Sequence, residues 1–313
     1  MPDSRNIASG QVLRAWDDRS SVRSKPRKMA SELEPGKNLF PRSLFPIVDH
    51  EALTHLCPET TNSLLNLRLF LYMDFTTALE QEVVNPALVD ISKGIPGLEF
   101  SPELRLDAHR IYVDEGYHAL AAVDLAQQLS DTVATPYTRM SQHEFIVGLR
   151  KIVTNVPQTE SRLTAIAAAT VSETLISGTL SQIPQDQSVV QVVRQAVAEH
   201  AADERTHHAY FSRLHEVIWP RLSRQQQRLL APLYADFILD FLVPDKENLK
   251  SILEQAGVPE DTARKVVNET YESIDLLPGI RHAARATIRL LQRTGVLEIT
   301  EAREKFEAEG LAA

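Results

Sequence analysis

From about residue 42 onward, apolar residues recur at the three- and four-residue spacing of helices. Over residues 62–85 the apolar stripe is dense: it comprises Leu64, Leu65, Leu67, Leu69, Phe70, Leu71 and Phe75. We predict a helix there that stops at Asn85-Pro86, because proline disfavours helical geometry in the residue before it. Strand alternation and hairpin signals are almost absent. The pattern predicts an all-α fold.

Capping signals place the remaining helices. Ser101 and Pro102 are typical of an N-cap and first helical position, and they predict a helix that runs to about Leu129. The run Ser141-Gln142-His143-Glu144 has the form of a capping box, which predicts a shorter helix over 141–153. Further helices are predicted over about 158–182, 188–218, 223–242, 245–256, 259–273 and 280–295.

The first 40 residues have a different character. They mix Ser, Pro and Gly with few apolar residues and with the cations Arg5, Arg14, Arg19, Arg23, Lys25, Arg27 and Lys28. We interpret residues 1–40 as a flexible or surface-draped arm rather than a binding element. Residues 41–300 then form a single domain, and residues 301–313 a C-terminal tail.

Composition narrows the functional classes. A net charge of −9 argues against nucleic acid or an anionic membrane as the main partner. Cys57 is the only cysteine, which excludes an intramolecular disulfide and fits a reducing cytoplasm. No apolar run reaches membrane-spanning length, and the polar N-terminus lacks the apolar core of a signal peptide. We therefore expect a soluble cytoplasmic protein.

The most informative pattern is a motif that occurs twice. Residues 114–118 and 203–207 both read Asp-Glu-x-x-His, and each copy follows an isolated Glu on another predicted helix. Glu80 lies 35 residues before Glu115, and Glu173 lies 31 residues before Glu204. Helical bundles build carboxylate-bridged dinuclear metal sites from one Glu on each of two helices and a Glu-x-x-His on each of two others.

A further histidine extends the second motif. His200, Glu204 and His207 form an i, i+4, i+7 series, so on a helix their side chains point the same way within roughly 60° of arc. Glu115 and His118 share a face in the same manner. If these residues bind nothing, they form only a solvated Glu/His surface.

The residue types favour iron. The candidate set supplies four carboxylates and three imidazoles, and four carboxylates balance the charge of two ferrous ions. Structural zinc favours four-coordinate, often cysteine-rich sites, which one cysteine does not provide. Asp114 and Asp203, each directly before a motif Glu, are candidates to accept the free ring N–H of a metal-bound histidine and so orient it.

The order of these residues along the chain predicts a topology. Glu, Glu-x-x-His, Glu, Glu-x-x-His on successive helices describes a repeated helix pair, which is the ferritin-like four-helix bundle with a long crossover between its halves. The segment 141–153 is the natural crossover. Helices beyond residue 220 then pack outside the bundle, where they can close a pocket.

At these residues the chain resembles a known family. The doubled Asp-Glu-x-x-His motif is that of the ferritin-like di-iron carboxylate proteins, and the additional His200 is similar to the seventh ligand of the AurF-like N-oxygenases, the family of p-aminobenzoate N-oxygenase. The resemblance covers residues 60–210, and more loosely extends to 295. It implies that the iron ligands are Glu80, Glu115, His118, Glu173, His200, Glu204 and His207.

The resemblance also implies an activity. Members of this family are non-haem di-iron monooxygenases that activate O₂ and oxidise arylamines through hydroxylamine and nitroso stages to nitro compounds in secondary-metabolite pathways. Tyr72, two turns before Glu80, matches a pocket tyrosine of the family or is an ordinary core aromatic. The family places an arginine at its substrate from the region of Arg281 and Arg285, although both also suit the surface of an amphipathic helix. Thr179 belongs to a polar run that lines the pocket or bonds within its own helix.

Other functions stay open at this point. A desaturase or C–H hydroxylase would use the same superfamily site, but the simpler members have six ligands and His200 makes seven. A radical-storing reductase subunit carries a tyrosine one turn after the first motif histidine, where this chain has Ala122. A ferroxidase or iron-storage protein, and a non-enzymatic protein–protein module, are further alternatives.

Two partners are expected besides an amine substrate. The chain has neither a Gly-rich dinucleotide fingerprint nor a cysteine set for an iron–sulfur cluster, so its electrons come from a separate donor or reductase. A homodimer through a flat helical face is also expected.

Overall fold

The computed structural model describes residues 13–95, 97–140 and 142–311, apart from the side chains of residues 177–179. The α-helices of these residues are α1 Trp16–Arg19, α2 Ser21–Ser24, α3 Pro58–Leu79, α4 Asn85–Lys93, α5 Pro102–Val133, α6 Glu144–Asn155, α7 Ser161–Leu180, α8 Gln191–Ile218, α9 Arg224–Leu230, α10 Leu233–Leu242, α11 Lys246–Gln255, α12 Glu260–Glu272, α13 Leu277–Arg293 and α14 Thr300–Ala308.

Four long helices form the centre of the molecule. α3 packs against α5, α7 packs against α8, and α5 and α8 join the two pairs. Their facing sides bury a continuous apolar core that includes Leu69, Ile111, Ala168 and Phe211. The described residues contain only two isolated β-bridges and no named strand. The prediction of an all-α, ferritin-like helical fold is therefore confirmed.

The helix through Glu80 does not stop where proline led us to expect. α3 passes into a π-helical turn, Glu80–Val84, and then directly into α4, with Pro86 in its first turn. The prediction of a stop at Asn85-Pro86 is wrong. The helix accommodates the proline by widening into the π turn directly before it, where the hydrogen-bonding register changes and α4 begins.

The crossover helix α6 lies between α7 and α10. It begins at Glu144 with His143 in the N-cap position, so Glu144 is its first residue and not the third that a capping box requires. The predicted capping box is thus wrong in register, and Ser141 lies outside the described residues. A tertiary contact caps the helix instead: Oδ2 of Asp245 accepts a hydrogen bond from the Glu144 backbone N–H at 3.0 Å.

The C-terminal helices cover the bundle from one side. α10 and α13 pack on α7, α11 packs on α3, and α14 reaches α10. Of the predicted tail, residues 301–313, the stretch 301–308 belongs to α14, and Phe306 and Leu311 are buried. No helix within the described ranges combines the length and apolar character needed to cross a membrane.

The described part of the N-terminal arm, residues 13–40, lies on the bundle beside α5 and α8. It buries Leu13, Ala30, Leu39 and Phe40. Ion pairs from Arg27 to Asp124 and from Lys28 to Glu199, each with a shortest N···O distance of 2.6 Å, attach it to those two helices.

Candidate metal centre

The structure brings the seven candidate ligands together between the four long helices. Donor atoms of Glu115, His118, Glu204 and His207 lie within 4.8 Å of one another, and so do donor atoms of Glu80, His118 and His200. Glu173 completes the cluster, since its Oε2 lies 3.9 Å from Nδ1 of His207. Of the seven side chains, that of His200 is the most open, with 12% of its surface exposed.

The three imidazoles turn one nitrogen each toward the carboxylates. Nδ1 of His207 lies 2.9 Å from Oε1 of Glu115 and 3.4 Å from Oε1 of Glu204. Nδ1 of His118 lies 3.2 Å from Oε2 of Glu115 and 3.5 Å from Oε1 of Glu204. His200 uses the other ring nitrogen, and its Nε2 lies 2.9 Å from Oε1 of Glu204. All three rings thus converge on Glu204.

The outward nitrogens of His118 and His207 are held by the two motif aspartates, in a crossed arrangement. Nε2 of His118, on α5, donates to Oδ2 of Asp203 on α8 at 3.1 Å. Nε2 of His207, on α8, donates to Oδ2 of Asp114 on α5 at 3.2 Å. Because each carboxylate keeps the Nε2 proton in place, Nδ1 of both rings is left free to bind a metal ion.

Unsatisfied polar atoms test whether this cluster fits metal ions. Among the described residues, both carboxylate oxygens of Glu80 and one oxygen each of Glu115, Glu173 and Glu204 are buried without a hydrogen bond. Nδ1 of His207 is likewise buried without a hydrogen bond, although it lies close to Oε1 of Glu115. Each such group costs about 1–3 kcal/mol if nothing binds it. The donors fit two divalent cations, which would coordinate the orphaned oxygens and Nδ1.

The pKa shifts of the buried carboxylates reflect the same crowding. Burial raises the pKa of Glu80 well above its ordinary value, and the nearby charge of Glu115 adds to the effect. Burial, with the charge of Glu204, likewise raises the pKa of Glu173. Burial also disfavours ionised Glu204, but the charge of His207 and hydrogen bonds from the histidines outweigh it and lower its pKa. Burial therefore opposes full ionisation of these carboxylates in the protein alone.

The pKa values of the three histidines are also shifted in different directions. Burial opposes the charged rings of His118 and His207, but their carboxylate partners outweigh it and raise both pKa values. Burial and the neighbouring charge of His118 lower the pKa of His200. His200 is thus a neutral donor ready to bind a metal ion without first losing a proton.

Comparison with known proteins bears on what such a centre does. The sequence model of the family described as p-aminobenzoate N-oxygenase AurF matches residues 3–295. The chain belongs to the AurF family. A 4-aminobenzoate N-oxygenase from Streptomyces thioluteus is 24% identical over 259 residues, which cover 80% of this chain and 75% of that protein. Family membership confirms the resemblance seen at the motifs and identifies an amine N-oxygenase.

A cavity of about 320 Å³ adjoins the centre of this AurF-family protein. His118 and His200 form part of its wall. Much of the remaining wall is apolar and consists of the side chains of Met73, Leu120, Ala121, Ala122, Leu125, Ala196 and Val197. Arm residues including Lys25 lie on the same cavity. A substrate in this space would approach the metal site from the side of His200.

A second cavity, of about 270 Å³, lies between α3 and the C-terminal helices. It contains none of the candidate ligands, but it shares Tyr72 and Thr76 with the first cavity. Both hydroxyls are buried and have no well-formed hydrogen bond to a described residue. Burial raises the pKa of Tyr72, with a contribution from Glu80, so the phenol stays protonated. Tyr72, Thr76 and Glu80 follow each other at four-residue spacing along one helix face.

The two predicted pocket arginines lie elsewhere. Arg281 and Arg285 are exposed on α13 and line neither cavity, and Nε of Arg281 donates to the backbone oxygen of Gly310. The side chain of Thr179 lies outside the described residues. Thr170 and Thr174, on the same helix as Thr179, hydrogen-bond backward within α7.

Sequence reasoning missed the contribution of the arm. Trp16 and Ser20 hydrogen-bond to Asp114, and the backbone N–H of Ser21 bonds to Asp203. Both aspartates that hold the motif histidines are therefore also held from outside by the arm. The single Trp in this polar, basic segment was a signal that the arm packs against the bundle. A flexible surface segment does not need a large aromatic side chain.

Proposed function

We propose that this AurF-family chain is a di-iron N-oxygenase that uses O₂ to oxidise the amino nitrogen of an arylamine to a hydroxylamine, nitroso or nitro product. The observation that carries the proposal is the buried cluster of four carboxylates and three inward-facing imidazoles. The proposed iron ligands are Glu80, Glu115, His118, Glu173, His200, Glu204 and His207. The bound irons would supply the electrons and the binding site through which O₂ becomes reactive.

The donor set supports iron over other metals. Carboxylate and imidazole ligands suit iron, and four carboxylates neutralise two ferrous ions, which removes the charge crowding at Glu80 and Glu173. The single cysteine, Cys57, is exposed and takes no part in the cluster. A cysteine-rich structural zinc site is therefore a poor fit to this centre.

Each residue has a defined task in this proposal. Asp114 and Asp203 hold His207 and His118 in the ligating orientation, so the centre is rigid before the substrate arrives. The apolar walls around Leu125 and Val197 would bind the aromatic ring and exclude bulk water. His200 lies on that wall, so the ligand that distinguishes this family also faces the substrate cavity.

The test is product formation by iron-loaded protein. Ferrous protein, O₂ and a reductant are mixed with p-aminobenzoate and then with other aryl and alkyl amines, and ¹⁸O incorporation into the nitrogen product is measured by mass spectrometry. We expect labelled N-oxygenated product from at least one arylamine. Loss of product in His200→Ala, with iron retained and with His208→Ala as a neighbouring control, would tie the activity to the seventh ligand.

The alternatives predict other outcomes. Oxidation of ferrous ion without oxidation of any amine would favour the ferroxidase hypothesis. Hydroxylated or desaturated carbon products would favour a different di-iron oxidase. A protein that binds no iron at all, with Glu204→Ala/His207→Ala unchanged in stability, would contradict the metal centre itself.

A further inference from the structure

The N-terminal arm places an indole at the edge of the metal centre. Nε1 of Trp16 donates to Oδ2 of Asp114 at 2.8 Å. The same Oδ2 accepts the hydrogen bond from Nε2 of His207 at 3.2 Å. Trp16, Asp114 and His207 therefore form a continuous chain of two hydrogen bonds, which leads from the arm to a ring whose Nδ1 faces the buried carboxylates.

The two halves of the centre differ at this position. Asp203, the counterpart of Asp114 in the second motif, accepts from the backbone N–H of Ser21 at 3.2 and 3.3 Å, and among the described residues no tryptophan donates to it. Ser20 already bonds to Oδ1 of Asp114 at 2.5 Å. A second donor is thus not required to fix this carboxylate. The indole adds a conjugated group to only one of two otherwise matched Asp–His pairs.

Trp16 also connects the interior with the surface. Its ring is only partly buried, and the guanidinium of Arg23 lies 5.6 Å from the ring centre. The ligands beneath are almost wholly enclosed, with Glu115 and His207 both 0% exposed. An external reductant cannot touch these ligands, whereas it can touch the arm over Trp16.

We propose that Trp16 is the entry point for electrons, and that a small one-electron carrier with an acidic surface docks on α1 and α2. The inference rests on the proposed di-iron function. One electron leaves the carrier, passes through the Trp16–Asp114–His207 chain and reduces one ferric ion to ferrous; a second encounter reduces the other ion. No proton moves along the chain, because Asp114 accepts both hydrogen bonds throughout.

Charge identifies the class of carrier. Residues 13–28 carry six Lys or Arg side chains against two Asp, whereas the whole chain has a net charge of −9. Arg27 and Lys28 pair with acids of the bundle, but Arg19 and Lys25 are exposed on the arm. A basic patch on an acidic protein steers an acidic partner to that patch. Electron-transfer complexes need only a small interface, which two short helices can supply.

The test measures reduction of the ferric centre, not turnover. Ferric protein is mixed anaerobically with a reduced acidic [2Fe–2S] ferredoxin, and bleaching of the ferric absorption is followed by stopped flow. Trp16→Phe keeps an aromatic ring but removes the N–H, and we expect it to slow reduction by about tenfold, equivalent to about 1.4 kcal/mol in the barrier. Raising the salt concentration should slow the wild-type reaction, because screening weakens the docking.

Two controls separate electron transfer from a structural role. Trp219→Phe alters the other tryptophan, which is buried and stacked on His215 away from the cluster, and should leave the reduction rate unchanged. Ser20→Ala removes the other arm bond to Asp114 without touching the indole, and we expect it to slow reduction less than Trp16→Phe does. Hydrogen exchange over residues 13–30 and iron content are measured for each variant.

Each outcome decides the proposal. Equal slowing in Ser20→Ala and Trp16→Phe, or slowing that accompanies loss of arm protection, would show that Trp16 only holds the arm and would overturn it. Reduction by dithionite but not by ferredoxin, or a rate independent of salt, would overturn docking of an acidic carrier. Failure of the wild-type protein to hold iron would instead overturn the proposed function.

Discussion

His118 and Asp203 are 85 residues apart in sequence, yet they form a buried hydrogen bond of 3.1 Å between α5 and α8. His207 and Asp114 make the reciprocal contact at 3.2 Å. Each Asp-Glu-x-x-His motif therefore supplies the orienting carboxylate for the other motif. Neither motif is complete alone, and the ligand geometry depends on correct packing of α5 against α8.

Asp203→Asn should weaken iron binding. The amide can no longer accept from Nε2 of His118 as a charged carboxylate does, so the ring loses its fixed orientation, and such changes cost about 10–100-fold in metal affinity. Competition with a chelator measures the loss. Asp131→Asn, on the exposed end of α5, is the matched control. Unchanged affinity in Asp203→Asn would show that the crossed bond does not support the ligand.

Glu173→Gln should stabilise the metal-free protein while it impairs metal loading. The carboxylate is buried, and burial and the charge of Glu204 raise its pKa, so it takes up a proton on folding. The amide is neutral in both states and avoids that cost. We expect a gain of about 1–2 kcal/mol in the free energy of unfolding, measured by urea titration without metal. A metal-free variant that is less stable, yet still binds two irons, would contradict this assignment.

Metal-induced stabilisation should grow as pH rises. Without metal, the raised pKa values of His118, His207, Glu80 and Glu173 mean that the folded state holds protons which the unfolded state has lost. These four groups therefore make the metal-free protein less stable as pH rises above the unfolded values of 4.5 and 6.5, while the lowered pKa of His200 acts in the opposite direction. Metal binding displaces those protons and strengthens over the same interval.

The measurement is the difference in Tm with and without manganese(II), a redox-quiet ion for carboxylate sites, between pH 5.5 and 8. We expect the difference to increase across this range. Glu204→Gln should flatten the curve, since this carboxylate lies near all three histidines. A difference in Tm that stays constant with pH would indicate that the ion binds away from the buried cluster.

Filling the cavity beside His200 should block the substrate without removing the metal. Ala122 lines this cavity and is only partly buried, so Ala122→Phe adds volume where the fold can accept it. We expect amine turnover to fall at least about tenfold, with iron content unchanged. Leu242→Phe, in the second cavity, is the paired variant. If Leu242→Phe abolishes turnover and Ala122→Phe does not, the substrate occupies the second cavity.

The candidate cluster followed from the sequence because its residues have a regular spacing. Glu115 with His118, and Glu204 with His207, share a helix face by elementary helix geometry, and the four-helix topology then brings those faces together. The arm contacts did not follow from the sequence, since hydrogen bonds from Trp16 and Ser20 to Asp114 span almost 100 residues and leave no periodic pattern.

The backbone register of the helix through Glu80 could not be predicted from the sequence either. The π turn at Glu80 has no hydrophobic signature, so proline alone pointed to a stop that the fold avoids. Arg281 was chosen through the family resemblance, but its interaction with the backbone of Gly310 depends on the return of the chain after α14, which helix patterns do not reveal.

The two ends of the cluster are unequally enclosed, so bound metal ions should leave them at different rates. His200 lies on the cavity wall with 12% of its side chain exposed, whereas Glu173 and His207 at the other end are 2% and 0% exposed. An ion bound near His200 can exchange through the cavity, but one held by Glu173 and His207 must wait for helices to separate. A chelator should therefore strip the metal in two phases, and the protein would pass through a state that holds a single trapped ion.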